Sequence, residues 1–149
     1  MFNYTKGGLA EIAKEKNFIR DTLEKVVRLT EILEYINSNP IMKKRLVLKG
    51  GTAINLTVFE LPRLSVDIDL DYSSNEGREE MMIQRTRITE DLKLYMQTQN
   101  YILGPQSRSH HSLDSFVFTY KNLGGMRDNI KVEINYSLRC HLFEPMNQI

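Results

Sequence analysis

Between Ser65 and Tyr72 the chain alternates without a break: Ser65, Asp67, Asp69 and Asp71 fall on one side of an extended strand, and Val66, Ile68, Leu70 and Tyr72 on the other. Alternate residues of a strand stand about 6.6 Å apart, so the carboxylate oxygens of Asp67 and Asp69 can reach a common ion or a close pair of ions. Carboxylates placed this way repel one another, and Asp is depleted in strands. A hard divalent cation, Mg2+ or Mn2+, relieves the repulsion, because it prefers carboxylate oxygens and keeps substrate phosphates as further ligands. Two such ions about 3.5–4 Å apart clamp the attacking and leaving oxygens of a phosphoryl-type displacement. Three alternate aspartates also open an EF-hand calcium loop, but Tyr72 stands where that loop needs Gly and Arg78 where it needs Glu.

Two further segments bear on this chemistry. From Asp128 to Tyr136 the chain alternates again, with Ile130, Val132, Ile134 and Tyr136 on one side and Lys131, Glu133 and Asn135 on the other. If this strand neighbours the first with both apolar faces down, Glu133 joins the aspartates. Alternation alone allows an ordinary solvent face equally well. Upstream, Gly50-Gly51-Thr52-Ala53 links a strand to a helix. Glycines let a ligand approach the backbone, the free N–H groups of a helix start attract phosphate, and Thr52 adds a hydroxyl. A Gly-Gly pair before a helix is more often a plain tight turn.

The elements that must hold these groups can be read from periodicity. Ile19, Leu23, Val26, Thr30 and Leu33 step by 4, 3, 4 and 3 and form one helical stripe, with Asp21 and Glu24 spaced as a capping box near its start. Asn37-Ser38-Asn39-Pro40 ends that helix, and a shorter one around Leu9 to Lys14 precedes it. Arg45 to Lys49 reads as a short strand and Thr52 to Phe59 as a helix broken by Leu61-Pro62-Arg63. After a loop over Ser73 to Gly77, a long helix runs from Arg78 to Thr98 with Met81, Ile88, Leu92 and Tyr95 inward. Tyr101 to Leu103 and Phe116 to Tyr120 read as strands, and Lys121 to Arg127, with Gly124-Gly125, as a hairpin connection. The order implies an α/β (α+β) domain: a mixed β-sheet with flanking helices and an N-terminal helical lead-in. His110-His111, Arg108 and Lys121 read as solvated surface, and Met81-Met82 as core filler.

Composition bounds the rest. A chain of 149 residues with 41% apolar and 26% charged residues suits one globular core and not a disordered chain. Lone Cys140 can form neither an internal disulfide nor a cysteine-based zinc cluster, which points to a reducing, cytoplasmic setting. Lys and Arg total 20 against 19 Asp and Glu, a net charge of +1, so bulk charge cannot hold nucleic acid and any such contact needs a local patch. Apolar runs of only a few residues exclude a membrane-spanning helix, and Met1 to Glu15 has no signal-peptide block.

Lys49-Gly50-Gly51-Thr52-Ala53, followed by Arg63-Leu64-Ser65-Val66-Asp67-Ile68-Asp69-Leu70, resembles the signature of the AbiEii/AbiGii-type nucleotidyltransferase toxins, within the polymerase-beta-like nucleotidyltransferase superfamily. Val132-Glu133-Ile134 resembles the superfamily's third acidic element, and the helical segment with Ile12-Ala13 and Leu23-Glu24-Lys25 its lead-in. The resemblance implies the nucleotidyltransferase fold and metal-dependent transfer of a nucleoside monophosphate from an NTP to an acceptor. Asp67, Asp69 and Glu133 would be the catalytic, metal-holding set, and Gly50, Gly51, Thr52, Arg63 and Ser65 the nucleotide-binding positions. It further implies the toxin half of a toxin–antitoxin or phage-abortive-infection pair, with a cognate antitoxin as partner and the 3′ end of a tRNA as one acceptor. Lys43, Lys44, Arg45 and Lys49 are the candidates for the basic surface such an RNA would need, and a solvated turn explains them equally well. Relatives continue into a helical C-terminal part with an Arg-Asp-x-x-Asp element that nothing after Glu144-Pro145 supplies, so residues 1–149 are expected to form a catalytic domain lacking that part. Two rival readings keep the fold: a non-catalytic nucleotide- or partner-binding domain, and a nucleotidyltransferase acting on a small molecule.

Overall fold

The computed structural model describes residues 6–48 and 67–137. Helix α1 (Lys6–Ser38) is followed by the short α2 (Pro40–Arg45) and strand β1 (Leu46–Leu48). Strand β2 (Asp67–Tyr72) and helix α3 (Arg78–Thr98) come next, then β3 (Ile102–Leu103), β4 (Arg108–Ser109), β5 (Leu113–Lys121) and β6 (Arg127–Asn135). The strands form a mixed six-stranded sheet in the order β1-β2-β6-β5-β3, with β4 also on β5. Among the described residues only β2 and β6 pair in parallel; the other pairs are antiparallel. The mixed sheet with flanking helices is the α/β architecture expected from sequence.

Alternation decides which side of the sheet the helices cover. Ile68, Leu70 and Tyr72 from β2, Ile130, Val132 and Ile134 from β6, and Phe116, Phe118 and Tyr120 from β5 are all buried, together with Leu29, Ile32 and Ile36 of α1 and Met81, Ile88, Leu92 and Met96 of α3. Each buried side chain of this size contributes about 1.5–3 kcal/mol to the core. Helix α3 has the expected bounds, and Met81, Ile88 and Leu92 are inward; of the methionine pair, Met81 is buried and Met82 is 47% exposed. Asn39 caps α2, accepting from the N–H groups of Ile41 and Met42, and Pro40 occupies the first helical turn. The Asn-Ser-Asn-Pro stop therefore acts as expected.

Helix α1 departs from expectation in three ways. It is one helix rather than two. Its core side is Thr22, Lys25, Leu29, Ile32 and Ile36, whereas Ile19 and Leu23 are 48% and 60% exposed. Neighbouring helical residues point about 100° apart, so a stripe through Leu23 and one through Thr22 face different ways. Apolarity misled here because the buried stripe includes Lys25, whose Nζ reaches Asp128 Oδ1 at 2.8 Å while its stem is covered. Asp21 and Glu24 form no capping box: both lie within the helix, Asp21 accepting from Arg20, and Glu24 from Arg28 and from the backbone N–H of Leu123 in the β5–β6 turn. That turn needs a glycine at Gly125, where φ is +81°. The two-residue β4 carries no alternation and was not legible in the sequence.

Candidate active site

Strands β2 and β6 run side by side in parallel, with Asp67 opposite Lys131, Asp69 opposite Glu133 and Asp71 opposite Asn135. Paired residues point to the same side of a sheet. With Ile68, Leu70, Val132 and Ile134 turned to the helices, the three aspartates, Lys131, Glu133 and Asn135 share the other face, and each is half-buried. The condition that brings Glu133 beside the aspartates, neighbouring strands with both apolar faces down, therefore holds. Strand β5 extends the face, placing Ser115 opposite Glu133 and Val117 opposite Lys131.

Lys131 sets the electrostatics. Its Nζ lies 2.7 Å from Glu133 Oε1, with side-chain exposures of 38% and 28%. That hydrogen bond raises the affinity of Lys131 for its proton above the ordinary lysine range; partial burial opposes the rise, and the charges of Glu133, Asp67 and Asp69 add to it. Among the described residues no three Asp, Glu, His or Cys side chains converge on one point as a metal cage. The donor set nevertheless fits a hard divalent ion in kind: Asp67, Asp69 and Glu133 offer only carboxylate oxygens from two adjacent strands in register, and a cation already stands among them.

At the far end of β2 a second polar cluster fixes the strand. Glu76 accepts from Arg45 Nε, from Ser74 Oγ at 2.6 Å and from Tyr72 Oη at 3.2 Å. Burial pushes the Glu76 carboxyl up, but the hydrogen bonds from Ser74 and Arg45 outweigh it and hold the group below the usual carboxylate value. The Tyr72 hydroxyl is pushed up to about 12 by burial and by the Glu76 charge. Arg45 is thus committed to a carboxylate, and Lys43 and Lys44 are exposed beyond the Tyr72 end, since Leu46 pairs with Tyr72. Five strand steps, about 16 Å, separate that end from Asp67. Of the expected basic cluster, Lys43 and Lys44 thus lie at the end of β2 away from Asp67, and Lys49 lies outside the described residues.

Gly50, Gly51, Thr52, Arg63, Ser65 and Lys49 lie outside the described residues. Two features escaped sequence reasoning. Lys131 passed as a solvent-face residue, although its spacing of two from Glu133 was the signal that both share a face. The second is buried Asp114, a lone acid in β5 that pairs with Arg85 of α3 at 2.7 Å. His110 and His111 are exposed as expected, and their carbonyls accept from the same arginine. Arg108 and Lys121 are also exposed.

Among the described residues no helix is long and apolar enough to cross a membrane. No curated protein and no solved structure matches the chain. Residues 31–148 match a family model described as nucleotidyl transferase AbiEii toxin, type IV toxin–antitoxin system. That span takes in both alternating strands, the acidic face they share and most of the sequence, and on it the chain belongs to the AbiEii nucleotidyltransferase toxin family.

Proposed function

We propose that the chain transfers a nucleoside monophosphate from an NTP to an acceptor hydroxyl, using Mg2+ or Mn2+, as the toxin of a toxin–antitoxin pair. The observation that carries this reading is the in-register parallel pairing of β2 with β6, which sets Asp69 beside Glu133 on a face of half-buried carboxylates. Asp67 and Asp69 would hold the divalent ions, with Glu133 completing the set once its carboxylate turns from Lys131. Bound ions of this kind neutralise the triphosphate and the charge that develops on the attacking and leaving oxygens. In the step itself the acceptor oxygen bonds to the α-phosphorus, the bond from that phosphorus to the bridging oxygen breaks, and pyrophosphate leaves. The hydroxyl proton passes toward the Glu133 carboxylate, and Gly50, Gly51, Thr52, Arg63 and Ser65 receive the triphosphate.

An RNA acceptor is supported by the cations on the same face. The register sets Arg108 opposite Ser115 and Arg127 opposite Lys121, so Arg108, Lys121 and Arg127 lie on the carboxylate side, all exposed. A polyanion can follow such a flank although the net charge is only +1.

The test is label transfer by the full-length protein from an α-labelled NTP to total RNA with Mg2+, repeated with Asp69→Asn. Loss of transfer is expected; label transfer that survives the substitution removes Asp69 from the metal set. One observation favours the non-catalytic reading instead. Lys131 already offsets the carboxylates, so the fold does not need a metal to tolerate them. That reading expects nucleotide binding without metal and no pyrophosphate release.

A further inference from the structure

Four features of the open face converge on Lys131. It stands directly opposite Asp67 on the neighbouring strand and two residues from Glu133 on its own. Its ammonium bonds to Glu133 at 2.7 Å. The charges of Asp67 and Asp69 act on it as well as that of Glu133, so it feels all three carboxylates assigned to the metal. Finally, Asp67, Asp69 and Glu133 form no three-ligand cage of their own among the described residues.

An ammonium carries one charge and three donors, and unlike a divalent ion it is tethered. Placed among carboxylates it offsets part of their mutual repulsion whether or not a metal is bound. The same placement makes it a competitor: a divalent ion drawing Glu133 into its ligand set must break the Lys131–Glu133 bond and accept a neighbouring positive charge. From this geometry we propose that Lys131 is a positioning residue, the built-in counter-ion of Asp67, Asp69 and Glu133, which steadies the site without metal and is displaced from Glu133 when a divalent ion binds. This rests on the metal assignment made above. It goes beyond that assignment in giving the site two cationic states, one supplied by the chain, and in making metal affinity a property tuned by a residue that is not a ligand.

The measurement is Mn2+ affinity by electron paramagnetic resonance on the full-length wild type, Lys131→Met and Lys131→Arg, with thermal unfolding of each in EDTA. Loss of one positive charge a few ångströms from the ion should tighten Mn2+ binding of Lys131→Met by about tenfold or more even under water-like screening. Lys131→Met should also unfold at lower temperature in EDTA and recover with Mn2+, while Lys131→Arg keeps the charge and stays close to wild type in both respects. On the wild type itself, reductive methylation followed by mass spectrometry should label Lys131 faster when Mn2+ saturates the protein, a readout that does not depend on a variant folding. Equal Mn2+ affinity in wild type and Lys131→Met, or labelling that Mn2+ does not change, overturns the counter-ion role and leaves the proposed reaction standing. If neither wild type nor Lys131→Met binds Mn2+, the metal assignment itself falls.

Discussion

Asp69 and Glu133 are 64 positions apart in the chain, and two local rules make them neighbours. Each lies between apolar residues, Ile68 and Leu70 in one case and Val132 and Ile134 in the other, and burying those pairs turns both acids to the opposite side. A slip of one residue in the β2–β6 register would carry one acid into the core, so the core holds the site in place. A different carboxylate shows how protonation bears on the fold. Glu76 is held below the ordinary value of 4.5 against the opposing pull of burial, by Ser74 and Arg45. A carboxyl depressed in the folded state adds stability that is fully present above its unfolded value and drains away as pH falls through the folded one. The stability advantage of wild type over Glu76→Gln should therefore be constant above about pH 4.5 and shrink below it. Urea denaturation of both proteins between pH 3 and 7 checks this; a constant difference throughout would mean that Glu76 contributes through shape alone.

At the scale of elements, the connection from α1 to β1 rests on one side chain. Asn39 Oδ1 accepts from Ile41 N at 3.0 Å and Met42 N at 3.1 Å, while its Nδ2 donates to Asp91 Oδ2 of α3 at 3.2 Å. Asn39→Ala removes a helix cap, a loss of about 1 kcal/mol, and should lower the unfolding temperature by about 2–4 °C for a chain of this size. Asn39→Ser keeps a capping oxygen but not the donor to Asp91, so it should fall between the two in the same thermal scan. Helix α3 was legible to the residue because its signals agree: a turn-rich loop before it, acidic residues in its first turn and apolar residues at helical spacing. Helix α1 was legible as a helix but not in its orientation. Its buried side carries Thr22 and Lys25, and what makes Lys25 a core-facing residue is Asp128, 103 positions away. No local pattern contains that information.

Across the whole molecule, α3 is tied to the sheet by Arg85. Its Nε and Nη2 bind both carboxylate oxygens of Asp114 at 3.1 and 2.7 Å, its Nη1 donates to the His111 carbonyl, and its guanidinium lies 4.6 Å from the centre of the Tyr136 ring. Arg85 is 8% exposed and Asp114 2%. Removing one partner of a buried pair strands the other's charge, at a cost of about 3–5 kcal/mol. A domain of ordinary stability holds about 5–15 kcal/mol in all. Arg85→Leu should therefore lower the urea midpoint sharply, and the double variant Arg85→Leu/Asp114→Leu, which strands no charge, should regain much of it. A double variant no better than the single would show that the carbonyl contacts to His110 and His111 matter more than the ion pair.

Alternating polarity, turn residues and helical spacing are local properties, and from them the sequence by itself determined the kinds of element, the acids that could bind a cation and the condition for their meeting. Strand order, register and helix orientation depend on contacts between residues far apart in the chain, so only the tertiary structure decided them. It put Glu133 directly beside Asp69, set Lys43 and Lys44 at the opposite end of β2, and committed Arg45 to Glu76. It also turned Lys131 from a residue of the solvent face into the cation among the carboxylates, because a side chain's charge is legible in sequence but the charges around it are not.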